Sequence, residues 1–237
     1  MSRDSIFALS TGGLPAGGAI IRISGPGSRF ALETLTDSVP EPRRAVLRTL
    51  ADSQRNAIDR GLVLFFPAPE SFTGEDIAEL HLHGGRAVVA AVLDRLAALS
   101  GFRAAEPGEF TRRAFDNGRL DLTEVEGLAD LIAAETEAQR RQALRQAGGV
   151  LRGLCEEWRQ RLVRARALLE AELDFPDEED VPGSVSDSAW ADVALLAAEI
   201  GKALDDGHRG ERVREGFEVV VLGRPNAGKS RLINALA

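Results

Sequence analysis

Residues 217–236 have the sequence FEVVVLGRPNAGKSRLINAL, which contains the complete pattern G-x-x-x-x-G-K-[S/T] at 223–230. An apolar, β-branched run at 217–222 precedes the glycines and a helical pattern follows them, so the order strand, loop, helix is predicted. In that arrangement backbone N–H groups and the helix N-terminus point at phosphate groups. The sequence therefore predicts a phosphate-binding loop in which Lys229 reaches the β- and γ-phosphates and Ser230 binds Mg²⁺.

The use of lysine in this chain supports the same interpretation. The chain has 29 Lys and Arg residues, but only Lys202 and Lys229 are lysine. An ammonium group on a thin stem fits a phosphate cradle, whereas a planar guanidinium is too wide for it. The alternative is a glycine-rich turn without a ligand, but the full pattern rarely arises by chance. We therefore expect Lys229 and Ser230 to be the residues that serve phosphoryl transfer.

The composition indicates a globular chain without a strongly basic surface. Its 237 residues are 44% hydrophobic and carry a formal net charge of −8. A diffuse basic field for polyanions is excluded, so a contact with RNA would need a local cluster of cations. Such clusters are more often solvated faces. The two candidates are Arg43, Arg44 and Arg48, and Arg140, Arg141 and Arg145.

The chain has a single cysteine, Cys155, which excludes an internal disulfide and a cysteine metal site. Its helical register with Leu151, Leu154, Trp158 and Leu162 predicts a buried, unreactive thiol. No apolar stretch reaches membrane-spanning length, and the first residues lack the core of a signal peptide. We therefore expect a cytoplasmic protein with no membrane contact.

Residues 1–118 are predicted to form an α+β domain. Strands are expected at 19–24, 62–66 and 77–83, where β-branched and aromatic residues dominate or alternate with polar ones. Apolar residues at helical spacing predict a helix from Arg86 onward.

Residues 119–215 are predicted to form a bundle of amphipathic helices. A first, long helix is expected to begin at a capping box made by Thr123 and Glu126. A second helix should end before Pro176, because proline bars its continuation. A third is expected over about 193–204.

Two further segments are predicted to be irregular. Residues 177–180, DEED, are interpreted as a solvated acidic loop, with metal binding as the alternative. Residues 207–210, GHRG, together with Gly216 are interpreted as a hinge into the nucleotide-binding segment 216–237.

Charged residues occupy positions inside two of the predicted strands. Arg22 shares one strand face with Ser24, and Glu79 shares one with His81 and His83. Because a lone charge is costly to desolvate, each should meet an opposite charge, a ligand or solvent. The H-x-H pair lacks a third ligand, so polar contacts are favoured over a metal.

Several motifs, in order along the whole chain, resemble those of the tRNA modification GTPase family MnmE, also called TrmE. They are SFTGED at 71–76, HGG at 83–85, PGEFTRRAF at 107–115, NGRLDL at 117–122, DFPDEE at 174–179 and GRPNAGKS at 223–230. The resemblance implies a multidomain α+β protein. An N-terminal α+β tetrahydrofolate-binding domain over 1–118 would also form a homodimer contact. An α-helical bundle over 119–215 would follow, into which a Ras-like α/β G domain is inserted, and 216–237 would hold the first strand, P-loop and helix of that domain.

The resemblance also implies site residues. Folate contacts fall on Arg22, Glu79 and Arg119, where family members often have Lys at the position of Arg119. Arg119 also lies in a turn at the predicted domain junction, where small-molecule sites are common. Contacts to GTP would come from Asn226, Ala227, Gly228, Lys229, Ser230 and Arg231, with Mg²⁺ on Ser230 and an activating K⁺ on Asn226. The switch, guanine-reading and C-terminal cysteine motifs of the family do not occur within the 237 residues, so a C-terminally truncated chain is expected.

Three functions are compatible with these observations. By resemblance, the complete protein would act with an FAD-dependent MnmG-type partner on tRNA. It would add a carboxymethylaminomethyl or aminomethyl group at C5 of wobble uridine (U34), using GTP hydrolysis and a one-carbon unit from 5,10-methylene-tetrahydrofolate. The second hypothesis is that this chain alone is a folate-binding and dimerisation module without GTPase activity, for which 5-formyl-tetrahydrofolate is a suitable probe. A P-loop ATPase with a helical interaction domain is the third.

Overall fold

The computed structural model describes residues 4–174, 185–216, 220–224 and 227–236. The chain divides into two compact units, Met1–Val125 and Glu126–Ala237. The domain boundaries expected from the sequence, after residues 118 and 215, stay predictions.

The first unit is built on one six-stranded sheet. Its strands are β1 (Ser5–Leu9), β2 (Ala16–Ser24), β3 (Val46–Ala51), β4 (Ala57–Phe66), β5 (Ile77–Gly84) and β6 (Phe102–Ala104). They lie in the order β3-β4-β5-β2-β1-β6, and every neighbouring pair is antiparallel except β1 and β6. Helices α1 (Ser28–Thr36), α2 (Arg86–Ala97) and α3 (Glu109–Asp116) complete the unit. The three predicted strands and the helix from Arg86 are confirmed.

The two faces of this sheet have different environments. One face and the inner sides of α1 and α2 form a continuous core, which includes Ile21, Ile23, Phe65 and Leu80 of the sheet. Each of these four side chains is at most 1% exposed, and burial of a side chain of this size contributes about 1.5–3 kcal/mol. The opposite face carries the intervening residues of β2 and β5, among them the charged ones. The alternation predicted for 19–24 and 77–83 is thus confirmed.

The helical segment contains α4 (Leu122–Ala133), α5 (Glu137–Ala147), α6 (Val150–Asp174), α7 (Val185–Glu215) and α8 (Lys229–Leu236). Helices α6 and α7 pack against each other, and α5 packs against both. Ala165 of α6 and Ala189 and Leu196 of α7 are buried, so small side chains let the long helices approach closely. Helix α6 is described as far as Asp174, and the stop predicted at Pro176 lies outside the described residues and stays a prediction. None of the described helices is long and apolar enough to cross a membrane.

The predicted start of the first helix of this segment was wrong by two residues. Asp121 Oδ1 accepts a hydrogen bond from Glu124 N at 2.9 Å, and Glu124 Oε2 accepts one from Asp121 N at 2.8 Å. This reciprocal pair is a capping box at 121–124, made by an aspartate instead of Thr123. The long helix expected there is also divided, because Thr136 and Gln139 form a second capping box that begins α5.

The hinge expected at 207–210 is not present, because α7 continues through this segment to Glu215. Interior glycines cost a helix about 1 kcal/mol each, but contacts with α5 hold this end in place. Gln142 Nε2 donates to the backbone oxygen of Gly210 at 3.0 Å, and Gln139 Nε2 donates to that of Arg214 at 3.2 Å. The helix ends before Gly216, whose φ of 73° suits only glycine well.

Of two other expectations for this segment, one is wrong and the other is not tested. Cys155 is exposed, so its predicted burial was wrong; the contacts between α6 and α7 leave its face of α6 open. The acidic residues 177–180 lie outside the described residues, and their interpretation stays a prediction.

Candidate functional site

A pair of opposite charges lies on the face of the sheet that α1 and α2 leave open. Arg22 of β2 stands directly opposite Glu79 of β5 in the strand register, so the two side chains leave the same face. The distance from Arg22 Nη2 to Glu79 Oε1 is 2.8 Å, and Arg22 Nε donates to the same oxygen at 3.0 Å. The side chains are 30% and 16% exposed, so water screens this ion pair less than a surface pair. Of the three expected environments, an opposite charge, a ligand or solvent, the structure shows an opposite charge for both residues.

The second carboxylate oxygen of Glu79 contacts a histidine. His81 Nε2 lies 3.2 Å from Glu79 Oε2, whereas His83 Nδ1 lies 2.8 Å from Oδ1 of Asp59 on β4. The two histidines therefore serve different carboxylates, as the preference for polar contacts over a metal predicts. Within the described residues, no group of three or more His, Cys, Asp or Glu side chains could hold a metal ion.

Two aromatic rings flank the guanidinium group of Arg22. Its Cζ lies 5.7 Å from the ring centroid of Phe72, in the loop between β4 and β5, and 6.0 Å from that of Phe110, in the first turn of α3. A cation at this distance from an aromatic face is attracted by about 0.5–1 kcal/mol at partly exposed sites. The sequence analysis did not single out these rings as site residues; their place inside SFTGED and PGEFTRRAF was the only available signal.

The loop that carries Phe72 is fastened to the sheet by buried hydroxyl groups. Ser24 Oγ lies 2.7 Å from Thr73 Oγ1 and donates to Glu75 Oε2 at 2.8 Å. Ser71 Oγ donates to the backbone oxygen of Glu75 at 2.5 Å, which closes the loop on itself. Ser24 shares its strand face with Arg22, so these bonds fix the loop beside the ion pair.

A network of charges holds α3 beside the same loop. Arg113 Nη1 lies 3.1 Å from Glu75 Oε2, while its Nη2 lies 3.1 Å from Glu109 Oε1 and 3.0 Å from Asp4 Oδ1. Arg103 contacts Glu109 and Asp4 at 2.5 Å each. The side chains of Glu109 and Arg113 are 2% and 7% exposed, so each depends on its partners to remain charged.

The charges in this network stabilise one another. Hydrogen bonds from Arg103 lower the pKa of Glu109 to about 2, against the opposing effect of burial. For Arg113, burial disfavours the cation, but the hydrogen bonds and charges of Glu75 and Glu109 more than offset it and raise the pKa. Both groups therefore stay ionised at neutral pH, and α3 is fixed by charge-assisted bonds.

Arg119 is placed against the loop that carries Phe72. Asn117 Nδ2 donates to the backbone oxygen of Thr73 at 2.7 Å, and Arg119 Nη2 lies 3.7 Å from Glu70 Oε2. Gly74 has a φ of 76°, and a Cβ at this position would lie 3.1 Å from the Cγ of Arg119. The glycine thus lets the 117–119 turn and the 71–75 loop approach each other. The structure places Arg119 next to the loop whose Phe72 ring lies near Arg22.

The proposed phosphate loop has part of the expected geometry. Gly228 has a φ of 82°, and α8 begins at the next residue, Lys229. Lys229 Nζ donates to the backbone oxygens of Gly223 and Arg224 at 2.9 Å each, so the ammonium lies over the loop. Ser230, in the first turn of α8, is exposed.

The other residues predicted for this loop and the strand before it are exposed, irregular or outside the described residues. Ala227 is exposed beside Gly228, and Arg231 is exposed on α8, whereas Asn226 lies outside the described residues. Of the strand predicted at 217–222, residues 217–219 also lie outside them, and 220–222 are not part of a strand. A parallel strand needs hydrogen-bonded neighbouring strands on its flanks. The elements of the helical segment that the structure describes are all helices.

Comparisons with known proteins agree with the division of the chain into two compact units. The family model described as "GTP-binding protein TrmE N-terminus" matches residues 5–119, and the model described as "MnmE helical domain" matches residues 122–230. A protein of Brucella anthropi named tRNA modification GTPase MnmE is 60% identical over 235 residues, which are 99% of this chain and 53% of that protein. A protein of the same name from Mesorhizobium japonicum is 59% identical over 237 residues, which are 100% of this chain and 54% of its own length.

The chain thus spans about half the length of the curated relatives it matches. The two family models together account for nearly all of it, and they meet between residues 119 and 122. The expected combination of an α+β domain and a helical domain is confirmed, and the chain belongs to the MnmE (TrmE) family.

Proposed function

We propose that this chain is the N-terminal part of a tRNA modification GTPase and that its first unit binds a reduced folate. The observation that carries the proposal is the Arg22–Glu79 ion pair on an open sheet face, where the rings of Phe72 and Phe110 lie near the guanidinium group of Arg22. Partly shielded charges beside aromatic rings are typical of sites for small polar heterocycles. The match to the TrmE N-terminal model supports the same assignment.

The chemistry of a tetrahydrofolate fits these side chains. Its pterin ring offers adjacent N–H donors, which a carboxylate such as that of Glu79 accepts well. The guanidinium group of Arg22 can donate to acceptor atoms of the same ring. The glutamate tail is anionic and suits a different guanidinium group, such as that of Arg119. When bound as 5,10-methylene-tetrahydrofolate, the cofactor would supply a one-carbon unit. The protein residues would orient it and shield it from water.

The complete protein is proposed to modify C5 of wobble uridine (U34) in tRNA together with an FAD-dependent MnmG-type partner. The group added would be carboxymethylaminomethyl or aminomethyl, and the protein would act as a cytoplasmic homodimer. In its G domain, Lys229 would bind the phosphates of GTP, Ser230 would bind Mg²⁺, and Asn226 would help to bind K⁺. Ala227, Gly228 and Arg231 would contribute the remaining contacts of the loop. The positive φ of Gly228 and the start of α8 at Lys229 support this role.

A second candidate function applies to the 237 residues alone. They would form a folate-binding and dimerisation module without GTPase activity. Residues 220–222 do not lie in a strand, and Lys229 bonds to carbonyl groups of its own loop. A loop without a supporting sheet holds a triphosphate poorly.

Calorimetric titration of the chain with 5-formyl-tetrahydrofolate tests the folate site. We expect one site per chain and a loss of affinity of about 100-fold in the Arg22→Ala, Glu79→Ala double variant, because both charged contacts are removed. The matched control is the Glu41→Ala, Arg44→Ala double variant, which removes an exposed ion pair of the same unit. Equal affinity in the two double variants would refute the site.

Titration with a fluorescent GTP analogue in the presence of Mg²⁺ separates the two candidate functions of this chain. We expect binding weaker than about 100 μM, which corresponds to a binding free energy of no more than about 5.5 kcal/mol. Lys229→Ala should change this weak binding little. Tight, Mg²⁺-dependent binding that Lys229→Ala abolishes would contradict the module without GTPase activity.

A further inference from the structure

The two rings that flank Arg22 belong to segments that are distant in sequence. Phe72 lies in the loop between β4 and β5, and Phe110 lies in the first turn of α3. Neither ring is deeply buried, and Phe72 is 37% exposed. Packing alone therefore does not fix the separation of the rings, and other contacts must do so.

Glu75 anchors the first of these segments, the loop that carries Phe72. Its carboxylate accepts from Ser24 Oγ at 2.8 Å and from Arg113 Nη1 at 3.1 Å. The side chain of Glu75 is 11% exposed, and Ser24 is buried two residues along β2 from Arg22. Glu75 therefore links the Phe72 loop to both the strand that carries Arg22 and α3.

Arg113 continues this link to the second segment. Its Nε and Nη2 donate to Glu109 Oε1 at 3.3 and 3.1 Å, and Glu109 immediately precedes Phe110. One planar guanidinium thus bridges two carboxylates, each next to or near a ring. A lysine has a single nitrogen and cannot keep both bridges in this geometry.

We infer that Arg113 is a positioning residue for the ligand site, in that it sets the positions of Phe72 and Phe110 beside Arg22. The side chain of Arg113 is 7% exposed, and its guanidinium group contacts Glu75, Glu109 and Asp4. It therefore acts on a ligand only through the two rings. This inference rests on the proposed folate site and adds a residue to it that the resemblance did not supply.

Titration of matched variants with 5-formyl-tetrahydrofolate tests the inference. Arg113→Lys should weaken binding about tenfold, whereas Arg112→Lys, the same change at the preceding and exposed position, should leave it within about twofold. Phe110→Ala should also weaken binding about tenfold, because a ring contact is lost. In the Arg113→Lys, Phe110→Ala double variant the loss should remain close to tenfold, since both changes disturb the same contact.

A residue that only stabilised the fold would not produce this coupling. Its effect on binding would be multiplied by that of Phe110→Ala, to about 100-fold in the double variant, and that result would overturn the inference. Circular dichroism and thermal melting check that each variant is folded. If Arg113→Lys does not fold, Glu75→Gln keeps the bond from Ser24 and weakens only the bridge to Arg113, and the same coupling is expected.

The two proposals fail in different ways. No binding by the unaltered chain would overturn the folate site and the inference with it. Binding by the unaltered chain that Arg113→Lys leaves unchanged would overturn the inference alone. Loss of folding in both Arg113→Lys and Glu75→Gln would make the network purely structural and would also overturn it.

Discussion

The carboxylate of Glu109 is almost completely buried, yet it remains charged because Arg103 and Arg113 donate to it. Its pKa is lowered from the ordinary value of 4.5 to about 2 in the folded chain. A group with a depressed folded-state pKa stabilises the fold above its unfolded pKa and loses this contribution as the pH falls toward the folded value. Glu109 should therefore stabilise the first unit fully above about pH 5 and lose that effect between about pH 4.5 and 2.

We predict that Glu109→Gln lowers the stability of the first unit at pH 7 by about 3 kcal/mol, because two guanidinium groups lose a buried anion. The difference from the unaltered chain should shrink as the pH falls from 4.5 to 2. Urea unfolding followed by circular dichroism measures it. Both tryptophans, Trp158 and Trp190, lie in the second unit, so their fluorescence should be unaffected. The control is Glu106→Gln, which changes an exposed carboxylate of the same unit that contacts Arg112, and an equal effect there would contradict the prediction.

At the scale of residues, the sequence predicted the charged part of the candidate site and not the aromatic part. Arg22 and Glu79 interrupt the apolar alternation of two strands, so their cost of burial marks them without any structure. Phe72 and Phe110 lie in a loop and at a helix start, where no periodicity gives an aromatic residue a special meaning. Their role depends on Glu75 and Arg113, which are brought together from separate segments.

At the scale of elements, the strength of the local pattern decided what could be predicted. Strands β2, β4 and β5 have long apolar or alternating runs and were found, whereas β1, β3 and β6 have five, six and three residues and were not. The course of α7 was not predictable, because two glycines suggest a break unless the bonds from Gln139 and Gln142 are known.

The continuous helix α7 leads to a prediction about its glycines. Gly207 has no atom within 4 Å of where a Cβ would be, so Gly207→Ala should stabilise the second unit by about 0.5–1 kcal/mol through the helix propensity of alanine. Gly210→Ala should gain less, because its Cβ would lie 3.3 Å from Gln142 Nε2. Urea unfolding followed by tryptophan fluorescence measures both changes. A hinge at 207–210 would give the opposite sign, since alanine restricts a bend that needs glycine.

At the scale of the whole molecule, the second unit leaves large apolar side chains in contact with solvent. Leu173 of α6 is 79% exposed, and Trp190, Leu195 and Leu204 of α7 are 60%, 62% and 69% exposed. Burial of each such side chain contributes about 1.5–3 kcal/mol, so exposed side chains of this size favour a covering partner. The family resemblance implies a helical domain that a G domain interrupts, and the chain spans about half the length of its curated relatives.

We therefore predict that Trp190 is shielded in a protein of the full family length. In the 237-residue chain its indole should emit at long wavelength and be quenched readily by iodide, because the side chain is 60% exposed. A Trp158→Phe background isolates this signal, and Trp190→Phe in the same background gives the blank. In the longer protein the emission should shift to shorter wavelength and quenching should fall by about half or more, since an indole at a packed helix contact is removed from water. Identical quenching at the two lengths would show that Trp190 is not covered in the longer protein and would contradict the prediction.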